Sequence, residues 1–302
     1  MNTIRHKTVL LLGVALCFLV LGIIFLRQVF SSAFFVKEDR INILFYSASP
    51  IYFSLEKGGG DVHYATTFNA DSRAAVAGGY GIYRIGALGK LATLEKNPSL
   101  LEKTFSRITG SMIDYYFYPP GETIYYGSAE TFRFPFFSEI FFGSSNAGFV
   151  DRMYIYLQFV GKHTTDFEEI KIKKITEGNS ILLSDATFAS QYLGYFYHKL
   201  LRAENKTVQI LYVDSYAAAK NMSRIIDGEG IRVVDIDTEG SSNQTPSDTL
   251  KKQPCIIMEN IQGEFSQTAR ELSNFFSCRL SAGKGRVSDI VIKMGQAQGE
   301  WE

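Results

Sequence analysis

Thr8 to Leu26 is an apolar run without one charged side chain, and after Arg40 the chain mixes polar and apolar residues as a water-soluble body does. A helix over that run rises about 28 Å, close to the hydrocarbon thickness of a bilayer. The feature restricts the chain to a globular body delivered to a membrane by its N-terminal end. Three readings compete: an uncleaved anchor, a cleaved secretory signal and a buried core helix. Arg5, His6 and Lys7 make a basic start, and Ser31-Ser32-Ala33 offers small residues for a cut. The run nevertheless exceeds the usual signal core of about 7–15 residues, and Arg27 stands between it and that site. An uncleaved, single-pass anchor is expected. Arg5 and Lys7 precede the run while Arg27, Lys37 and Arg40 follow it, so the basic flanks alone do not orient it. A short tail ahead of a long C-terminal body favours the N-terminus inside and the body outside the cytoplasmic membrane.

About 260 residues follow Arg40, enough for two domains that each bury a core. The expected division is 1–40 for cytoplasmic tip, span and connector, 41–202 for a larger α/β domain, and 203–302 for a small C-terminal domain. The fold class is mixed α/β (α+β). With 31 basic and 31 acidic residues, no overall field draws the chain to nucleic acid, and no nucleic-acid partner is expected. The 24 Phe and 17 Tyr suit strands and half-buried surfaces. His6, His63, His163 and His198 are scattered, with no CxxC or HExxH, so a zinc site is not expected. Cys17 lies in the apolar run, leaving Cys255 and Cys278 as either a disulfide or two separate buried thiols.

Ile41 to Tyr46 reads as a buried strand, and Tyr52–Leu55 and Val62–Phe68 as a hairpin around Gly58-Gly59-Gly60-Asp61. Ala77 to Arg84 reads as a glycine-rich loop leading from strand to helix. Helices are expected over 85–94 and 100–109, the second stopped by Gly110, and then a strand over 112–118 ended by Pro119-Pro120-Gly121. Six phenylalanines crowd 132–142; they either fill the core or form a lipid-facing or apolar ligand-binding face. Helical patterns follow at 146–158 and within 181–199. Beyond Leu201 come strand 208–213, helix 217–226 stopped by Gly228, strand 231–236 and a polar loop at 239–246. Strand 255–259, helix 266–276 and strand 288–294 complete a β-α-β-β-α-β order, as in ferredoxin-like modules.

Candidate chemistry is sparse. Gly78-Gly79-Tyr80-Gly81 lacks the spacing of a Walker loop or a dinucleotide fingerprint. Asp71, Arg73, Arg84 and Lys90 lie near it in sequence and could hold a phosphate. No GxSxG is present, and Glu168-Glu169 and Asp235/Asp237 sit in charged or alternating runs that suit solvent-facing surfaces. Sequons begin at Asn205, Asn221 and Asn243, with meaning only in a glycosylating compartment.

Asn69-Ala70-Asp71, Gly79-Tyr80-Gly81, Arg84-Ile85-Gly86-Ala87, Thr109-Gly110 and Ile113-Asp114-Tyr115-Tyr116, in that order after one span, resemble the bacterial LytR-CpsA-Psr family with a LytR C-terminal domain. The resemblance covers about 41–118 and 207–294. It implies an envelope protein of the type that moves a glycopolymer from a polyprenyl diphosphate onto peptidoglycan, with arginines, acidic residues and Mg²⁺ around the diphosphate. Asp71 and Arg84 match, as weak candidate catalytic residues; Arg73 is a substitute. The family's arginine before the aspartate is Ala70 here, and its further arginines have no counterpart. Phosphoryl transfer depends on cations that stabilise the moving charge. The expectation is therefore a non-catalytic binding or scaffold protein without metal or cofactor, its partners the membrane, cell-wall glycan, polyprenyl lipid or envelope proteins. A Mg²⁺-dependent phosphotransferase and an unrelated anchored receptor or secretion component are the alternatives.

Overall fold

The computed structural model describes all residues except 1, 31, 33–38, 61, 122, 128–131, 173–174, 178–179, 239–253, 262 and 286. The loop at 239–246 with its Asn243 sequon, and Lys37, lie outside the described residues. The apolar run forms α1 (Asn2–Phe30), longer than the uncharged stretch itself, and its window Gly13–Phe30 is 0% buried by the body. That removes the buried core helix. The helix is long and apolar enough to cross a membrane.

The body is mixed α/β. Its first sheet runs β7-β6-β1-β2-β3-β8, with β1 (Arg40–Phe45), β2 (Ile51–Glu56), β3 (His63–Thr67), β6 (Tyr115–Tyr118), β7 (Ser144–Ser145) and β8 (Phe167–Glu169). β1 pairs antiparallel with β2 and parallel with β6, so it lies in the interior of the sheet. This explains its apolar composition. Asn42 is the polar exception, and it is satisfied: its amide donates to the carbonyls of Met112 and Phe196, and its oxygen accepts from Ser54. Arg40 is also spent inside the domain, with its guanidinium bonded to the Ser54 hydroxyl and the Val62 carbonyl. It therefore leaves the count of basic residues flanking the span. At the β2–β3 turn the Glu56 carboxylate accepts the N–H groups of Gly58 and Gly59.

Alternation along β1 divides two cores. Leu44 and Tyr46 face a core made with α2 (Leu88–Leu94), α3 (Ser99–Thr109) and α6 (Asp185–Tyr192). Ile41, Ile43 and Phe45 face α4 (Phe137–Phe142) and α5 (Phe149–Phe159). A second sheet, β5-β4-β10-β9, comprises β4 (Arg73–Val76), β5 (Gly81–Arg84), β9 (Ile175–Glu177) and β10 (Ser180–Leu182). The glycine-rich segment is the β4–β5 hairpin turn, not a strand-to-helix loop. Gly78, Gly79 and Gly81 take φ of 89°, 72° and 86°, a region where side chains with a Cβ are disfavoured. Beyond β5 the chain enters α2 through a 3₁₀ turn, Ile85–Ala87.

After α7 (Lys199–Ala203) the third sheet runs β12-β11-β15-β13-β14: β11 (Thr207–Tyr212), β12 (Arg232–Thr238), β13 (Ile256–Glu259), β14 (Arg279–Ala282) and β15 (Ile290–Lys293). β14 adds a strand to the expected order. Two parallel units, β11-α8-β12 with α8 (Tyr216–Gly228) and β13-α9-β14 with α9 (Gln267–Phe275), are joined by β15, parallel to β11 and antiparallel to β13. The sheet is thus mixed, unlike an antiparallel ferredoxin-like sheet. Cys255 and Cys278, just ahead of the adjacent strands β13 and β14, have Cα atoms 4.6 Å apart and are disulfide-bonded. The separate-thiol alternative is thereby replaced. Trp301 closes the core, against Phe275 and Phe276.

Gly228 does not stop its helix. It is the last residue of α8, and Gly230, at φ 79°, makes the left-handed turn. Gly228 is small for another reason: a Cβ there would sit 1.7 Å from the carbonyl oxygen of Gly110, which caps α3. Gly110 itself caps α3 at φ 65°, as expected.

Candidate functional site

A cleft of about 370 Å³ opens where β1 and β6 end, lined by Phe45, Phe117, Tyr118, Pro119, Pro120 and Phe142 among apolar groups. It is the crevice expected at the carboxyl ends of neighbouring parallel strands with a helix alongside. Parallel pairing puts Phe45 beside Phe117, and their rings stack at 4.8 Å. Tyr46, Ser47, Tyr125, Ser138 and Glu139 form its polar end.

The charge at that end is self-neutralised. Arg133 grips Glu139 through both guanidinium nitrogens at 2.7 and 2.6 Å, reaches the Ser47 hydroxyl at 3.3 Å, and lies over the Phe136 ring. Burial alone would raise the Glu139 carboxyl, but the bonds from Arg133 and the Phe136 N–H hold it below the usual carboxylate range. Its two oxygens are occupied in fixing Arg133 and the start of α4. The Tyr46 hydroxyl donates to the Ile85 carbonyl and accepts from the Gly89 N–H, and burial pushes its ionisation well up. It is a structural hydroxyl, with no role as a base at neutral pH.

Asp71 and Arg84 do meet, at 3.5 Å, with Arg84 over the Tyr126 ring and Asp71 accepting the Gly127 N–H. Arg73 is the cross-strand partner of Arg84 in the β4–β5 hairpin, and Lys90 lies on α2. None of the four lines the cleft. Tyr125, on the cleft wall, and Tyr126–Gly127, against the ion pair, are consecutive in the chain, so the pair flanks the cleft from behind that segment. The Asp71 carboxylate already serves Arg84 and Gly127, and the described residues hold no group of three His, Cys, Asp or Glu suited to a metal.

Ser47 and Glu139, which line the cleft, and Arg133, which bonds to both, were not among the candidates read from the sequence. One signal was available, an acidic residue in the first turn of the helix with an arginine six positions before it. Of the Phe-rich stretch, Phe132 and Phe134 pack on Phe53 and Phe167, as the core reading required. Phe136, Phe137 and Phe142 remain exposed. The acidic pairs lie on sheet edges: Glu168 and Glu169 are exposed on β8, and Asp235 on β12 accepts a bond from Gln209. Asn221 is buried and donates to the Trp301 carbonyl, which closes that sequon.

No protein-family model matches the chain, and no curated protein matches it. Two solved structures share part of its shape. The transcriptional regulator yvhJ from Bacillus subtilis is 9% identical over 51% of this chain and 94% of its own, at a TM-score of 0.34. TagV of B. subtilis is 12% identical over 51% of this chain and 94% of its own, at 0.35. Similarity at that level transfers neither fold nor activity.

Proposed function

We propose that this is a single-pass protein of the cytoplasmic membrane, N-terminus inside, whose extracytoplasmic α/β domain holds an apolar chain of isoprenoid type in the β1–β6 cleft without turning it over. It acts as a binding or scaffold protein in the assembly of cell-wall glycopolymers. One observation carries the reading: the cleft is walled by aromatic and proline side chains, while its one lining carboxylate, Glu139, is already bonded bidentately by Arg133. An apolar cavity with few polar groups suits an apolar ligand. A diphosphate would need cations that are not already neutralised, because leaving-group charge must be stabilised for transfer. The Cys255–Cys278 bond supports an exported body, since disulfides persist in oxidising compartments. The Asp71–Arg84 match and the glycopolymer connection rest on the family resemblance.

The full chain in detergent, titrated with a fluorescent isoprenoid alcohol and with its diphosphate, tests this. The two should bind with similar affinity. Ser47→Trp, which fills the polar end, should weaken both at least tenfold. Mg²⁺-dependent release of phosphate from the diphosphate, reduced by Asp71→Ala or Arg84→Ala, would instead establish the phosphotransferase.

A further inference from the structure

Helix α5 is apolar on both sides. Tyr154, Ile155 and Phe159 are buried against the sheet, as an amphipathic surface helix requires. The outer positions Phe149, Met153, Leu157 and Val160, spaced by three or four residues, are nonetheless 60%, 46%, 57% and 56% exposed. Helix α4 extends the same surface. Phe137 and Phe142 are 53% and 76% exposed, and Phe141 stacks on Phe137 at 4.4 Å while meeting Phe149 and Tyr156 edge-on. The charges of α5 are tied down locally. Asp151 accepts the Gly148 N–H at the start of the helix, and Arg152 donates to the carbonyls of Ile140, Gly143 and Ala147. A contiguous aromatic face of this kind marks an interaction surface.

We propose that this face lies in the interfacial layer of the bilayer that α1 enters, so that the cleft opens toward lipid. The inference rests on the anchor assigned above. Tether length selects the occupant. Helix α1 ends at Phe30 and β1 begins at Arg40, and the residues between span at most about 30 Å when extended. The bilayer is therefore held at high effective concentration next to the domain, whereas a second copy or another protein must arrive by diffusion. The composition fits as well: aromatic rings with a tyrosine hydroxyl among them favour the depth where headgroups meet acyl chains. Continuity with the cleft gives the docking a purpose. Phe142 belongs both to the exposed face and to the cleft wall, so an apolar chain could pass from the bilayer into the cavity without crossing water.

The full chain reconstituted in phosphatidylethanolamine–phosphatidylglycerol vesicles with brominated acyl chains tests the docking. Its only native tryptophan, Trp301, is buried in the C-terminal domain and serves as an internal reference. Phe149→Trp and Leu157→Trp place reporters on the face at already exposed positions, and Tyr216→Trp places one on the other domain. Flotation with the vesicles reads the anchor separately. The expected result is flotation of every variant, with roughly twofold quenching at positions 149 and 157 and little at 216 or 301, as for side chains some 5–10 Å into the interface. Flotation without quenching at 149 and 157, or equal quenching at all three introduced sites, would overturn the docking while leaving the anchor intact. A blue shift at 149 without quenching, accompanied by cross-linking between copies, would assign the face to a second copy instead. Failure to float would remove the anchor and the docking together.

Discussion

The two faces of the six-stranded sheet are built from one alternating set of strands and end in opposite conditions. On one face Leu44, Tyr46 and Tyr52 are sealed under helices, and the closure continues toward α8 through a buried polar cluster. There the fully buried Glu229 carboxylate accepts His198 Nδ1 at 2.6 Å, the His198 N–H at 3.1 Å and the Met112 N–H at 2.6 Å, with Asp114 3.6 Å from His198 Nε2. The other face is sealed on its inner side only, and its outer helices still present bare aromatic rings. Where burial is complete, each charged group needs a partner and the structure becomes specific to one arrangement. Where it is incomplete, the apolar surface is left for a ligand or a lipid.

The sharpest way to break the contrast is at that cluster. Glu229→Ala leaves the His198 imidazolium with Asp114 alone and two backbone donors unpaired in a dry interior, and the loss in unfolding free energy should be about 3–5 kcal/mol, read by denaturant titration of the full chain in detergent. The pH dependence follows from the same pairing. Burial by itself would lower the His198 ionisation, but the charge of Glu229 and the bonds from Asp114 and Glu229 outweigh it and raise it to about 10. The stabilisation is thus fully present below the unfolded value of about 6.5 and fades as pH rises through about 10. His198→Gln should flatten that alkaline decline.

Replacing Cys255 and Cys278 together by Ser opens a loop of sequence separation 23, for which chain entropy gives about 3 kcal/mol. Mass mapping of the non-reduced protein extracted from membranes should find the bond. Gly228→Ala forces a methyl group against the Gly110 carbonyl, and about 1–3 kcal/mol of overpacking should appear as a lower midpoint with an unchanged denaturant slope. Smallest of all, Arg84→Ala removes a solvent-exposed pair and should cost about 1 kcal/mol or less. On the reading proposed above it leaves isoprenoid affinity unchanged, and a large loss of binding would place the headgroup at Asp71–Arg84 after all.

Much of the framework was legible because it depends on local chemistry. Residues 41–46 announced an interior strand by their apolar run, Gly58 to Gly60 announced a turn, and Gly110 announced the end of a helix. The glycines at 78, 79 and 81 were conspicuous too, yet their meaning changed, since a hairpin turn and a strand-to-helix loop both require positive φ. Strand β14, Arg279-Leu280-Ser281-Ala282, escaped notice because it carries one large apolar residue, unlike the equally short but apolar β13 and β15.

Sequence alone determined that one end of this chain is long and apolar enough for a bilayer and that the rest is mixed α/β. Only the tertiary structure decided that Cys255 meets Cys278, that Gly228 is a contact and not a stop, and that Ser47, Arg133 and Glu139 gather at the mouth of an apolar cleft. The physical reason is range. Propensity and periodicity act within a turn or two of chain, whereas these meetings depend on strands and helices that are distant in sequence being brought side by side.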